Sequence, residues 1–135
     1  MSKDAPLERV VAGVLLRDGQ VLLCHRRPDR TSWPDVWDLP GGHIVDDETT
    51  VEALVRELAE ELGVQVEPPE GPPWMTLRLG PVELDLYLID RWHGEPRNTA
   101  LEEHDDIRWF AADDLKLLDL ADPAYIEILR RASAG

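Results

Sequence analysis

Residues 42–64 read GHIVDDETTVEALVRELAEELGV and contain the clearest helical pattern in the first half of the chain. Thr49 and Glu52 have the spacing of a capping box, and Gly63 is a residue that commonly ends a helix. The pattern therefore predicts a helix over residues 49–62. Its apolar positions fall on one face that would pack on the rest of the protein: Val51, Leu54, Val55, Leu58 and Leu62.

Three glutamates of this helix, Glu57, Glu60 and Glu61, fall within a wedge of roughly 100° that borders the apolar face. Carboxylates four residues apart repel one another, and the repulsion grows where water is partly excluded. A divalent cation would turn this repulsion into attraction. Oxygen ligands without histidine or cysteine favour Mg²⁺ or Mn²⁺, and a solvated acidic face is the alternative.

The segments on either side of the helix predict strands and loops. Asp18-Gly19 is a hairpin turn between two apolar runs, and Gly80-Pro81 separates a second pair. The predicted elements are a hairpin over 10–23, a loop and glycine turn over 26–42, a proline-rich loop over 68–73, a hairpin over 75–92, a short strand over 107–110 and a helix from 122 to about 132. This order predicts an α/β (α+β) fold with a mixed sheet, in a single domain over residues 1–135.

The composition excludes several classes of protein. The 135 residues are 43% apolar, and 14 basic against 28 acidic side chains give a net charge of −14. Such a charge argues against binding to a nucleic acid polymer. No apolar run approaches the roughly 20 residues that span a bilayer, and the start of the chain lacks the apolar stretch of a secretory signal. The single cysteine, Cys24, cannot form an internal disulfide, so we expect a cytoplasmic protein.

The acidic triplet belongs to a longer pattern. Gly42 is followed by five residues and Glu48, then by seven residues and Arg56-Glu57-Leu58, then by one residue and Glu60-Glu61, and after one more residue by Gly63-Val64. This pattern matches the Nudix box at every position, and the chain resembles the Nudix hydrolase family, most closely its MutT branch. The resemblance implies a Nudix-type αβα sandwich and hydrolysis of a nucleoside triphosphate to the monophosphate and pyrophosphate.

The resemblance also implies the cofactor and the substrate class. Mg²⁺ is the expected cofactor, with Mn²⁺ as a substitute, and the partner is a small nucleotide bound by a monomer or a homodimer. Oxidised purine nucleotides such as 8-oxo-dGTP are one expected substrate, which would place the protein in nucleotide-pool sanitation. The alternatives are a pyrophosphatase for ADP-ribose or another diphosphate-linked nucleoside, and a catalytically silent nucleotide-binding domain.

Site residues follow from the same resemblance. The implied metal ligands are the Gly41 carbonyl, Glu57, Glu60, Glu61 and Glu103. Arg56 and Glu48 are expected to pair and to hold the glycine loop against the helix. Glu60 is the first choice for the general base, and Glu57, Glu103 and Glu48 stay open as alternatives.

The substrate-binding residues implied by the MutT branch are Arg27, Leu39 and Asp122. Arg27 corresponds to a phosphate-binding arginine, Leu39 replaces an aromatic of the base pocket, and Asp122 lies near the group that reads a purine edge. For Asp122 a plain helix N-cap is the alternative. Asp47 also departs from the family pattern, because it stands where the box usually has a glycine before its first glutamate.

Overall fold

The computed structural model describes residues 7–134, so residues 1–6 and 135 of the predicted domain lie outside the described residues. Within that range the chain forms nine strands, two α-helices and one 3₁₀ helix. The strands are β1 (Glu8–Arg17), β2 (Gln20–Arg26), β3 (Trp37–Asp38), β4 (Gly41–His43), β5 (Gln65–Val66), β6 (Met75–Leu79), β7 (Val82–Ile89), β8 (Trp92–His93) and β9 (His104–Ala111). The helices are α1 (Thr50–Leu62), α2 (Tyr125–Ala134) and the 3₁₀ helix Ala112–Leu117.

The main sheet is mixed, as predicted. Its strands follow the order β3-β2-β1-β7-β6, with β4 antiparallel to β1 and β9 antiparallel to β2. Strands β1 and β7 run parallel along their length, from Glu8 opposite Val82 to Leu15 opposite Ile89. Strands β5 and β8 form a separate two-stranded sheet.

Both predicted hairpins are confirmed. Asp18 and Gly19 both have positive φ, at 54° and 76°, which is the backbone of a tight turn that follows the twist of the strands. Asp85 of the second hairpin is buried and accepts a hydrogen bond of 2.7 Å from the Thr76 hydroxyl.

The two helices cover opposite faces of the main sheet. Leu54, Leu58 and Leu62 of α1 pack in one apolar core with residues such as Val11 and Leu15. On the other face lies a second core that includes Tyr125, Ile128 and Leu129 of α2 with Leu23 and Leu86. The fold is therefore the expected αβα sandwich. None of the helices in residues 7–134 is long and apolar enough to cross a bilayer.

A gap between β1 and β2 positions the functional site. The two strands pair only beside their turn, at Leu16 with Val21 and Arg17 with Gln20. Beyond that point β3 pairs with β2, and β4 pairs with β1. The segment from Trp37 to His43 therefore crosses from one strand to the other, and it brings the two glycines of the turn to the end of α1.

Helix α1 begins and ends as the sequence predicts. The Thr49 hydroxyl accepts from the Glu52 backbone N–H at 3.0 Å, and the Glu52 carboxylate accepts from the Thr49 N–H at 2.8 Å. Gly63 ends the helix in the left-handed conformation, with φ of 68°. Because these bonds satisfy donors that the helix itself leaves unpaired, they hold the first turn and with it the register of the glutamates.

We expect Thr49→Ala to lower the free energy of unfolding by about 1 kcal/mol, because it removes the capping acceptor. Urea denaturation followed by circular dichroism measures the change. Thr31→Ala, in an exposed loop, is the matched control and should leave the midpoint unchanged. Equal midpoints for the two variants would contradict the role of the cap.

Candidate metal and nucleotide site

The glycine turn of Gly41 and Gly42 is central to the site. Each glycine lies so close to a neighbouring group that a side chain would not fit. A Cβ on Gly41 would lie 2.1 Å from the Val11 carbonyl oxygen, and Gly41 has a φ of +156°. A Cβ on Gly42 would lie 2.5 Å from the Glu57 carboxyl group. Two glycines are therefore needed for the turn to approach both β1 and helix α1.

Glu61 and Glu57 form the inner acidic pair of the site. Glu61 is only 2% exposed, and its Oε1 accepts a hydrogen bond of 3.2 Å from the Gly41 N–H. Burial raises the pKa of Glu61 well above its ordinary value, and the carboxyl groups of Glu57 and then Glu103 raise it further. The helical pattern placed these acids beside the core, and the structure confirms it for Glu61.

Arg56 connects the outer carboxylates. Its guanidinium donates to Glu48 at 2.6 and 3.0 Å, to Glu57 at 3.0 Å and to Glu60 at 3.2 Å. It also donates to the His43 carbonyl oxygen at 3.2 Å, which ties the helix to the end of β4. The predicted pair of Arg56 and Glu48 is thus present, and hydrogen bonding raises the pKa of Arg56 and lowers that of Glu48.

The backbone conformation of Asp47 explains how the chain does without the glycine that the box usually has at this position. Asp47 has a φ of +69°, the left-handed conformation that the glycine of the box would adopt most easily. Aspartate is among the few residues that visit this region without large strain. Glu48, the next residue, pairs with Arg56 in this structure.

A cavity of about 340 Å³ lies against the glycine turn. Five predicted site residues line it: Gly41, Leu39, Glu61, Glu103 and Asp122. Glu57, Arg56 and Glu48 belong to the network described above, which adjoins the turn. The Glu60 side chain is 55% exposed and is held by Arg56, so it stands further out than Glu57 and Glu61.

The arginines that line the cavity do not include Arg27, the arginine that was predicted to bind phosphate. Arg26 and Arg30 line it, whereas Arg27 pairs with Asp29 through two hydrogen bonds of 3.0 and 3.2 Å. Arg30 lies 3.5 Å from Glu103. Arg26 donates to the carbonyl oxygens of Trp33 and Ser32 at 2.8 Å each and so shapes the loop over the cavity. The phosphate contact of Arg27 stays a prediction.

Asp122 is not the helix N-cap that was its alternative role, because α2 begins at Tyr125 and not at residue 122. Its Oδ1 accepts from the Ala124 N–H at 2.9 Å, which orders the turn that leads into α2. The same residue lines the cavity, so contact with a base stays a prediction.

Asp38, His104 and Tyr125 also line the cavity, and none of them is among the predicted site residues. His104 and Tyr125 are buried, and Asp38 is half-buried. Asp38 stands directly before the Leu39-Pro40-Gly41-Gly42 turn, and that position was the available signal. His104 Nε2 lies 3.7 Å from Glu61 Oε1, and burial, followed by the nearby Arg26 and Arg30, lowers the pKa of His104 to about 4.

The donors around Glu61 suit a hard divalent cation. His104 is neutral at pH 7, so it does not balance a charge on Glu61, and Glu57 adds a second carboxyl. Carboxylate oxygens and a backbone carbonyl are the ligands that Mg²⁺ and Mn²⁺ prefer. Gly41 and Glu103 bring further oxygen donors to the same cavity. The residues present therefore fit the metal that the resemblance implies.

Comparison with known proteins gives the family of the chain. The model of the NUDIX domain matches residues 7–132, and the chain belongs to the Nudix hydrolase family. A nucleoside triphosphatase NudI from Enterobacter sp. (strain 638) is 34% identical over 122 residues, which cover 82% of this chain and 86% of that protein. A CTP pyrophosphohydrolase from Escherichia coli (strain K12) is 32% identical, covering 89% and 87%.

Solved structures place the chain more narrowly, in the MutT-like branch. A MutT Nudix hydrolase from Burkholderia pseudomallei has a TM-score of 0.76 at 26% identity, covering 95% of this chain and 98% of that one. The solution structure of the E. coli ORF135 protein has a TM-score of 0.73 at 30% identity, covering 96% and 90%. The protein is accordingly an enzyme that hydrolyses pyrophosphate bonds in nucleotides.

We expect Glu61→Gln to stabilise the metal-free protein at pH 8. The pKa of Glu61 is higher in the folded than in the unfolded chain, so stability is lost as Glu61 ionises with rising pH. Glutamine removes that loss, about 1.4 kcal/mol for each pKa unit, and can still accept from Gly41. Thermal melting with EDTA and with Mg²⁺ measures both effects, and the stabilisation by Mg²⁺ should shrink in the variant. Glu67→Gln, at an exposed position, is the control.

Gly42→Ala should reduce metal-dependent turnover by about a hundredfold, because the new methyl group would displace the Glu57 carboxyl group from its position. Gly42 has an ordinary φ, so alanine strains no backbone there. Steady-state kinetics together with a melting curve measure the effect. A folded variant with wild-type activity would show that the position of Glu57 does not matter.

Proposed function

We propose that the protein hydrolyses nucleoside triphosphates to nucleoside monophosphate and pyrophosphate, with Mg²⁺ as cofactor and Mn²⁺ as a substitute. The observation that carries the proposal is one cavity that joins carboxylates to an apolar pocket. Glu61 and Glu103 line the first part, and Ala12, Leu39 and Leu84 contribute to the second. A nucleotide has the same two parts, because charged phosphates adjoin a flat base.

The proposed ligands of the metal are the carboxylates of Glu57, Glu60, Glu61 and Glu103 with the carbonyl oxygen of Gly41. Bound there, the cation would supply polarisation of the phosphoryl group and a lower pKa for the attacking water. Arg56 orients Glu57 and Glu60 and fixes their distance from the glycine turn. The carboxylates thus stand in place before substrate arrives, which lowers the reorganisation needed during the reaction.

Glu60 is the proposed general base. It is the exposed member of the acidic triplet, so water reaches it, and Arg56 limits its movement. Glu48 is less suited, because its side chain is only 16% exposed and hydrogen bonds from Arg56 and the Val45 N–H lower its pKa. Glu57 and Glu103 stay open as alternatives.

Cationic side chains on the cavity wall support binding of a polyphosphate by an acidic protein. Arg26 and Arg30 both line the cavity. The guanidinium of Arg30 contacts only Glu103, at 3.5 Å, among the ion pairs of residues 7–134, so a phosphate oxygen can compete for it. These two arginines are proposed to contact the phosphates, in addition to the predicted Arg27.

The named relatives support a triphosphate substrate, since one is a nucleoside triphosphatase and another a CTP pyrophosphohydrolase. Oxidised purine nucleotides such as 8-oxo-dGTP belong to the proposed substrate class, with nucleotide-pool sanitation in the cytoplasm as the setting. The intact acidic triplet speaks against a silent binding domain.

A substrate panel with product analysis tests the proposal. The wild-type protein with Mg²⁺ should release pyrophosphate and a monophosphate from nucleoside triphosphates, and Glu57→Gln should lower turnover at least about a hundredfold. Glu67→Gln serves as the control. AMP and ribose 5-phosphate from ADP-ribose, in preference to triphosphate hydrolysis, would favour the diphosphate-linked alternative. Binding of nucleotides without turnover would favour the silent domain.

A further inference from the structure

Asp38 is a half-buried carboxyl group on the wall of the nucleotide cavity. It ends the short strand β3 and lines the cavity together with Leu39, Asp122 and Tyr125. One of its oxygens, Oδ1, accepts from the Leu39 N–H at 2.8 Å. A carboxylate has about four acceptor sites, so Asp38 keeps capacity for a further donor.

The groups around Asp38 leave it without a strong cationic partner. Arg26 is the cationic side chain that acts on the Asp38 carboxyl, but its guanidinium donates to the carbonyl oxygens of Trp33 and Ser32. The Tyr125 hydroxyl donates a hydrogen bond to the Asp38 carboxyl, and Asp122 adds a second negative charge. A donor supplied by a ligand would therefore improve the surroundings of Asp38.

The raised pKa of Asp38 is consistent with a carboxyl group that lacks a strong cationic partner. Burial raises the pKa of Asp38 to about 6, against the opposing effects of the Leu39 N–H, Arg26 and Tyr125, and Asp122 raises it further. The group is ionised at pH 8, and it is then an acceptor only. A carboxyl group whose pKa is raised by folding lowers stability once it ionises, and such groups are common at functional sites.

The neighbouring walls suit a flat aromatic ligand. Ala12, Leu39 and Leu84 are buried and face the same cavity, and Trp33 lies at its edge with an exposed ring. Such walls accept the faces of a nucleobase, and hydrogen-bonding specificity must come from the few polar groups at the base edge. Asp38 and Asp122 are half-buried carboxyl groups on the same cavity wall, and Asp38 adjoins Leu39.

We propose that Asp38 is a specificity-determining residue that accepts a hydrogen bond from the exocyclic amino group of the base, so that the enzyme prefers amino-bearing bases to uracil and thymine. The proposal rests on the proposed function for the triphosphate part of the substrate. Uracil presents a carbonyl oxygen where cytosine presents an amino group, and two acceptors facing each other in an enclosed site repel. The substrate class is thus nucleoside triphosphates of cytosine, adenine or guanine.

Matched nucleotide pairs test the proposal without any variant. CTP and UTP differ at position 4, where an amino group stands against a carbonyl oxygen, and at N3, which carries a hydrogen only in UTP. GTP and ITP differ only by the exocyclic amino group, so that pair is the cleaner comparison. The wild-type protein should favour CTP over UTP, and GTP over ITP, by about 10- to 100-fold in kcat/KM in at least one pair. Equal values in both pairs, or a preference for UTP and ITP, would overturn the proposal.

Asp38→Asn tests the residue itself. The amide can turn to offer either a donor or an acceptor, so the preference should fall at least about tenfold, through KM more than kcat. The variant should also melt at a higher temperature at pH 8, because it lacks the buried charge. Asp35→Asn, an exposed position beside His25, is the matched control and should keep the wild-type preference. An equal loss for CTP and UTP would assign Asp38 a structural role and overturn the proposal.

Binding of CMP and UMP by calorimetry, without metal, separates the two proposals. If no triphosphate is hydrolysed but the wild-type protein binds CMP more tightly than UMP and Asp38→Asn does not, the proposed reaction fails and the base preference stands. If triphosphates are hydrolysed and the two monophosphates bind alike in both proteins, the reaction stands and the role of Asp38 fails.

Discussion

The buried carboxyl group of Glu61 is the feature on which the rest of this structure depends. Glu61 lies between the end of helix α1 and the glycine turn, with Glu57 and Glu103 close enough to raise its pKa. Nothing in the apolar core calls for an acid at this position, and a leucine there would pack at no electrostatic cost. A cation bound between these oxygens gives the arrangement a physical reason.

The surrounding architecture serves to hold those oxygens in place. The split between β1 and β2 admits the segment from Trp37 to His43, and its two glycines allow the backbone to touch both β1 and Glu57. Arg56 then ties Glu48, Glu57 and Glu60 to the His43 carbonyl. One guanidinium thus aligns Glu48, Glu57 and Glu60, while Glu61 is held by the Gly41 N–H.

The parts that could be predicted from the sequence depend on local interactions. The capping box at Thr49, the stop at Gly63 and the turn at Asp18 involve neighbours in the chain, and all three are present. The position of the acids beside the core follows from helical geometry alone. The pair of Arg56 and Glu48 is also close in sequence, and the family pattern pointed to it.

The parts that could not be predicted depend on distant segments. The parallel pairing of β1 with β7 joins residues about seventy positions apart. The enclosure of Asp38 involves Tyr125 and Asp122 from the far end of the chain. Arg26 and Arg30, not Arg27, line the cavity because the loop after β2 turns back over it, which no local pattern shows.

The most direct test of the central claim is a crystal structure of the protein soaked in Mn²⁺, with the anomalous signal of the metal recorded. The account predicts a peak within about 2.5 Å of carboxylate oxygens of Glu57 and Glu61, next to the Gly41 carbonyl. A map without a peak there, with both carboxyl groups turned to solvent or protonated around an empty space, would contradict it.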